Sequence, residues 1–163
     1  HQLDVDFIME MGKEIARLFK NEKITKILTV ETSGIAIAMG AAAEMHLPVV
    51  FVKKHKSGNL SGDMYKTVVH SYTHGGDYNI VVSCDFFKSE DRVLIIDDFL
   101  ANGCAMIGLI DIVNQSGATL VGCGSVIEKG FQRGGDLIRG KGIRVESLAI
   151  IESMTDDSVT YRD

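Results

Sequence analysis

Residues 92–105 read RVLIIDDFLANGCA, and this stretch decides the fold. Val93, Leu94, Ile95 and Ile96 form a continuous apolar run rich in β-branched residues, which predicts a strand buried on both faces of a parallel sheet. The run ends in two carboxylates, Asp97 and Asp98. Phe99 to Ala105 then supply a turn of small residues, and Met106, Ile107, Leu109, Ile110 and Val113 recur at helical spacing. Strand, acidic pair, turn and helix follow one another as in an open α/β sheet. There ligands bind at the carboxyl ends of the strands, and a helix N-terminus aims N–H groups at an anion. A phosphate is the natural occupant. Carboxylates repel phosphate, so the acidic pair suits sugar hydroxyls or a hydrated cation held beside it.

The same logic repeats outward from this stretch. Phe7, Ile8, Met11, Ile15, Leu18 and Phe19 predict an amphipathic scaffold helix, and Lys26–Val30 a buried strand. Glu31-Thr32-Ser33-Gly34 is a polar turn before a helix of small residues from Ile35 to about Met45, with Ser33 or Thr32 as its capping residue. Pro48 ends that helix, and Val49–Val52 is the next strand, so the βαβ order implies a parallel sheet. Alternating stretches at Lys66–Tyr72 and Asn79–Ser83 predict an antiparallel hairpin on the sheet edge. Gly117 reads as a helix C-cap, Leu120–Ile127 as a strand interrupted by Gly122 and Gly124, and Asp136–Lys141 as a short helical piece. A strand at Val145–Ile151 completes the sheet, and the polar tail from Thr155 reads as surface.

At 163 residues with 45% apolar content the chain fits one domain around a single core. Seventeen Lys and Arg against 22 Asp and Glu give a net charge of −5, which disfavours nucleic acid or an anionic membrane as partner, so an anionic ligand needs a local basic patch. Cys84, Cys104 and Cys123 form no CxxC pair, which favours reduced thiols in a cytoplasmic protein over disulfides or a zinc site. No apolar run nears the roughly 18 residues of a membrane span, and no signal peptide is visible. The chain opens His-Gln without Met, so a natural N-terminal segment is expected upstream.

Lys53-Lys54-His55-Lys56 follows a buried strand directly, and that strand-end position favours diphosphate binding by Lys53 and Lys54 over a solvated face, without choosing between them. Cys104 invites a nucleophile reading, but no His or Asn partner is placed beside it, and a small side chain behind a phosphate turn explains it. Phe131 is either a stacking ring or core. The remaining histidines show no metal-binding spacing.

VLIIDDFLANG resembles the phosphoribosyl-pyrophosphate signature of the phosphoribosyltransferases. The companions VVFVKKHKS (Val49–Ser57), VIEKGFQ (Val126–Gln132) and RVESLA (Arg144–Ala149) look most like the branch of that family acting on xanthine in bacteria, and the likeness runs from Asp6 to Val159. It implies a single phosphoribosyltransferase domain of type I fold: a mostly parallel sheet flanked by helices, with a flexible antiparallel hairpin hood, Lys56 to Asp77, as candidate lid. It implies transfer of a phosphoribosyl group from 5-phosphoribosyl 1-pyrophosphate to a 6-oxopurine in purine salvage, with xanthine first and guanine or hypoxanthine as alternatives. Mg²⁺ would accompany the diphosphate without direct side-chain ligands, and the enzyme would be a homodimer. Asp97 and Asp98 would lie along the ribose, and Ala101, Asn102, Gly103, Cys104 and Ala105 would hold the 5-phosphate through backbone N–H groups. The loop with Ser33 would hold the leaving pyrophosphate, and Lys129 would donate to the purine 6-oxo group, which suits an ammonium because it offers only donors. The rival is a ligand-sensing domain of a purine regulator, which binds the same pyrophosphate and transfers nothing.

Overall fold

The computed structural model describes residues 2–55, 62–71 and 76–162. Its strands are β1 (Lys26–Val30), β2 (Val49–His55), β3 (Met64–Ser71), β4 (Gly76–Ser83), β5 (Arg92–Leu100), β6 (Thr119–Lys129), β7 (Val145–Met154) and β8 (Val159–Tyr161). The helices are α1 (Val5–Leu18), α2 (Gly34–Met45), α3 (Cys104–Ser116) and α4 (Gly134–Arg139). One sheet takes the order β3-β4-β2-β1-β5-β6-β7-β8. The five strands from β2 to β7 in that order pair in parallel, and β3, β4 and β8 add antiparallel edges. The parallel core and the edge hairpin are as expected. Much of the predicted lid, residues 56–61 and 72–75, lies outside the described residues.

Three strands run further than their apolar cores. β5 continues through the acidic pair, with Asp97 opposite Ser125 and Phe99 opposite Ile127. β2 continues through Lys53 and Lys54, and β6 through Glu128 and Lys129. The ladder bonds are backbone bonds, so pairing persists where side chains turn polar at the rim of the sheet. The tail from Thr155, expected only as surface, turns back as β8 against β7.

Each face of the sheet carries its own core. Ile15 of α1, Phe19 just after it, and Ile37, Ala38 and Ala41 of α2 pack on Ile27, Leu94 and Ile96. On the other face α3 brings Leu109, Ile112 and Val113 onto Ile95, with Val69 and Ile80 of the hairpin in the same cluster. Glycines set the spacing of these layers. A Cβ at Gly12 of α1 would fall 2.2 Å from the Gly40 carbonyl carbon of α2, and one at Gly122 would fall 3.0 Å from the Phe19 ring. The glycines that interrupt β6 are therefore the seat of α1. Gly108 of α3 is covered likewise by Val69 and Ile80, which fixes the base of the hairpin to α3.

β1 has β2 on one side and β5 on the other, so the chain leaves β1 in one direction and later builds away from β5 in the other. The crevice between their carboxyl ends is the topological switch point, where such sheets bind ligands.

Candidate active site

The turn after β1 and the end of β5 meet at this crevice. Asp97 is 5% exposed, and its Oδ1 accepts the Asp98 backbone N–H at 3.0 Å. Burial, reinforced by the neighbouring Asp98 carboxylate, raises the Asp97 pKa from 3.8 to about 8, while the Lys54 charge opposes the rise. Gly34 packs against this group: a Cβ there would lie 2.4 Å from Thr29 Oγ1 and 2.8 Å from Asp97 Oδ1. Ser33 occupies the cap position of α2, but its side chain makes no capping bond, and Thr32 and Ser33 are both exposed. The expected side-chain cap is absent because Ser33 has helical dihedrals, φ −65° and ψ −37°, rather than the extended backbone a capping side chain needs. The first N–H groups of α2 have no intrahelical acceptor.

The small-residue turn is shorter than expected, residues 101–103, because β5 keeps its ladder pairing through Leu100 and α3 starts at Cys104. Gly103 holds φ +83°, and the first bond of α3 runs from the Ile107 N–H to the Gly103 carbonyl at 2.8 Å. The N–H groups ahead of it have no intrahelical acceptor. They border a cavity of about 160 Å³ walled by Phe99, Asn102, Cys104, His70 and Tyr78. The last two come from the hairpin and were not singled out by sequence, because only the β3–β4 register brings them over the turn. His70 Nδ1 is bonded to Asp77 Oδ1 at 2.6 Å. Burial, with the charges of Asp97 and Cys104, raises the Tyr78 pKa.

Lys53 and Lys54 are exposed and both line a groove of about 610 Å³ along β2 and β4. They differ in what else they reach. The Lys54 N–H donates to Glu31 Oε1 at 2.5 Å, its Nζ lies 5.8 Å from the centre of the Tyr78 ring, and its charge acts on Asp97.

Lys129 ends β6, and its Nζ lies 5.1 Å from the centre of the Phe99 ring. Phe99 is 41% exposed, one residue beyond the acidic pair. Phe131 is 45% exposed in the turn Gly130–Gln132 and is not core. The loop after Lys129 also touches the turn between β5 and α3. The Gly134 N–H donates to the Ala101 carbonyl at 3.1 Å, and a Cβ at Gly134 would fall 2.2 Å from that oxygen. The structure thus gathers the acidic pair, Ala101–Ala105, Ser33, Lys54 and Lys129 at the carboxyl ends of neighbouring strands; Lys53 precedes Lys54 on β2 and lines the groove beside it. Among the described residues no three His, Cys, Asp or Glu side chains cluster as a metal cage, and no helix is long and apolar enough to cross a membrane.

A family model described as phosphoribosyl transferase domain matches residues 3–145. The chain belongs to the phosphoribosyltransferase family. This phosphoribosyltransferase is 56% identical to the xanthine phosphoribosyltransferase of Lachnoclostridium phytofermentans over 164 aligned positions, covering 99% of this chain and 84% of that protein. It is 52% identical to xanthine phosphoribosyltransferase 1 of Clostridium perfringens, covering 99% and 86%. In fold it is similar to the adenine phosphoribosyltransferase of Trypanosoma brucei, solved with AMP, pyrophosphate and ribose-5-phosphate, at TM-score 0.79 and 22% identity over 93% of this chain and 68% of that one.

Proposed function

We propose that this phosphoribosyltransferase moves the 5-phosphoribosyl group of 5-phosphoribosyl 1-pyrophosphate to xanthine, giving xanthosine 5'-monophosphate and pyrophosphate. Relatives more than half identical over nearly the whole chain carry that activity in their names. What supports the reading in the structure is the acidic pair at the switch point, followed by the glycine turn before α3, with Lys129 over Phe99 on the neighbouring strand.

The N–H groups at the start of α3 hold the 5-phosphate, and the start of α2 with Lys54 receives the diphosphate. Asp97 and Asp98 lie along the ribose hydroxyls: Asp97, which keeps its proton at neutral pH in the ligand-free protein, can donate as well as accept there, and the Asp98 carboxylate favours positive charge as it develops at the anomeric carbon. The bond from that carbon to the pyrophosphate oxygen breaks, and its electron pair leaves with pyrophosphate. A purine nitrogen forms the new bond and releases its proton to solvent. Lys129 donates to the 6-oxo group, and the Phe99 ring offers an apolar face to the base. The acidic pair suits a hydrated Mg²⁺ held through its waters, and such an ion would supply charge neutralisation to the diphosphate. Water at the anomeric carbon would waste the donor, so Tyr78 and His70 above the phosphate turn serve as part of its cover. The reading includes one catalytic domain over the whole chain, a homodimer and a cytoplasmic setting, which suits the three free thiols.

Purified protein incubated with the donor, Mg²⁺ and xanthine, guanine, hypoxanthine or adenine in turn tests the reading through pyrophosphate release. Xanthine is expected to be fastest and adenine inactive. Release with adenine matching that with xanthine would overturn it.

A further inference from the structure

Glu128, the residue before Lys129, is 1% exposed and takes no part in the chemistry above. Arg139 closes on it as a fork, Nη1 to Oε1 and Nη2 to Oε2, both at 2.7 Å. Ser147 of β7 donates to Oε2 at 2.5 Å. Burial alone would raise the Glu128 pKa, but the hydrogen bonds from Arg139 and Ser147 outweigh it and hold the carboxyl below its ordinary value. α4 is shaped around the pair: a Cβ at Gly135 would fall 1.9 Å from Glu128 Oε1 and 2.5 Å from Arg139 Nη1. One residue earlier, Gly134 bonds the Ala101 carbonyl. Residues 130–135 are therefore fixed on one side to the phosphate turn and on the other to the Glu128–Arg139 pair.

A buried ion pair is poor evidence for stability, because desolvation offsets its attraction, whereas a two-pronged pair fixes orientation in a way a point charge does not. We propose that the Glu128–Arg139 fork positions the purine-reading end of the site, setting where Lys129 and the turn after it stand relative to the phosphate cradle. This rests on the reading of Lys129 as the base-binding residue. Arg139 touches no substrate and acts through Glu128.

Arg139→Lys keeps the cation but loses the fork, Arg139→Gln removes the charge, and Lys129→Met serves as the control. The readouts on the full protein are KM for xanthine, ribose 5-phosphate affinity by calorimetry, and melting temperature. Arg139→Lys is expected to raise KM for xanthine about tenfold, roughly 1.4 kcal/mol, with ribose 5-phosphate affinity within about two-fold of the parent. Arg139→Gln is expected to raise it further. An unchanged KM in Arg139→Lys, while Lys129→Met raises it, overturns the positioning role and leaves the base site standing. A silent Lys129→Met overturns the base-site reading itself. A parallel loss of ribose 5-phosphate and xanthine affinity shows a general scaffold role and also overturns the proposal.

Discussion

The ammonium of Lys129 lies over the ring of Phe99, 5.1 Å from its centre, on adjacent parallel strands that also present the acidic pair. An aromatic ring with a donor held over its face suits a flat heterocycle that carries an acceptor.

Lys129→Met should lower kcat/KM for every 6-oxopurine by about 10- to 100-fold, the worth of a charge-assisted hydrogen bond. Phe99→Leu should cost about 2- to 10-fold, in line with an aromatic contact, and Phe131→Leu much less. Steady-state kinetics with xanthine and guanine check both.

Asp97 ties stability to pH. Its folded pKa of about 8 stands above its ordinary 3.8. Below the lower value both states are protonated. Between the two the unfolded chain ionises while the folded one holds its proton, so ligand-free stability falls as pH rises toward 8. Asp97→Asn should flatten that dependence and raise the melting temperature at neutral pH. Melting curves from pH 4 to 9 on parent and variant test the sign.

Gly134→Ala should damage both halves of the site, because its Cβ would sit 2.2 Å from the Ala101 carbonyl oxygen. The expected outcome is weaker ribose 5-phosphate binding together with a higher KM for xanthine, in protein whose far-ultraviolet dichroism is unchanged. Cys104→Ala, at the same turn, should keep most of its activity, since it removes only a small side chain.

Gly12→Ala should act on the fold alone. Forcing a methyl into the Gly40 backbone costs about 1–3 kcal/mol as overpacking. At this size that lowers the melting temperature by roughly 2–12 °C, with kinetic constants per folded molecule unchanged.

The five parallel strands were legible because each is rich in apolar, mostly β-branched residues, and the acidic pair and glycine turn because their order along the chain is itself the geometry. Strand ends were not. Backbone pairing ignores polarity, so Lys54 and Phe99 were read as turn residues although both sit in ladders. β8 is exposed along its length and exists only through pairing with β7, which no local pattern encodes. Phe99 could have been found by carrying period-two alternation past Asp98. The partners of Gly12, Gly122 and Gly134, the fork of Arg139 on Glu128, and the placing of Tyr78 are tertiary facts with no signature at their own positions.

The most direct measurement is xanthine-dependent pyrophosphate release by the double variant Asp97→Asn, Asp98→Asn. If the pair stabilises charge at the anomeric carbon, release should fall at least about 1000-fold while the protein stays folded and still binds ribose 5-phosphate. Release within about ten-fold of the parent would contradict the assignment of the ribose site to β5.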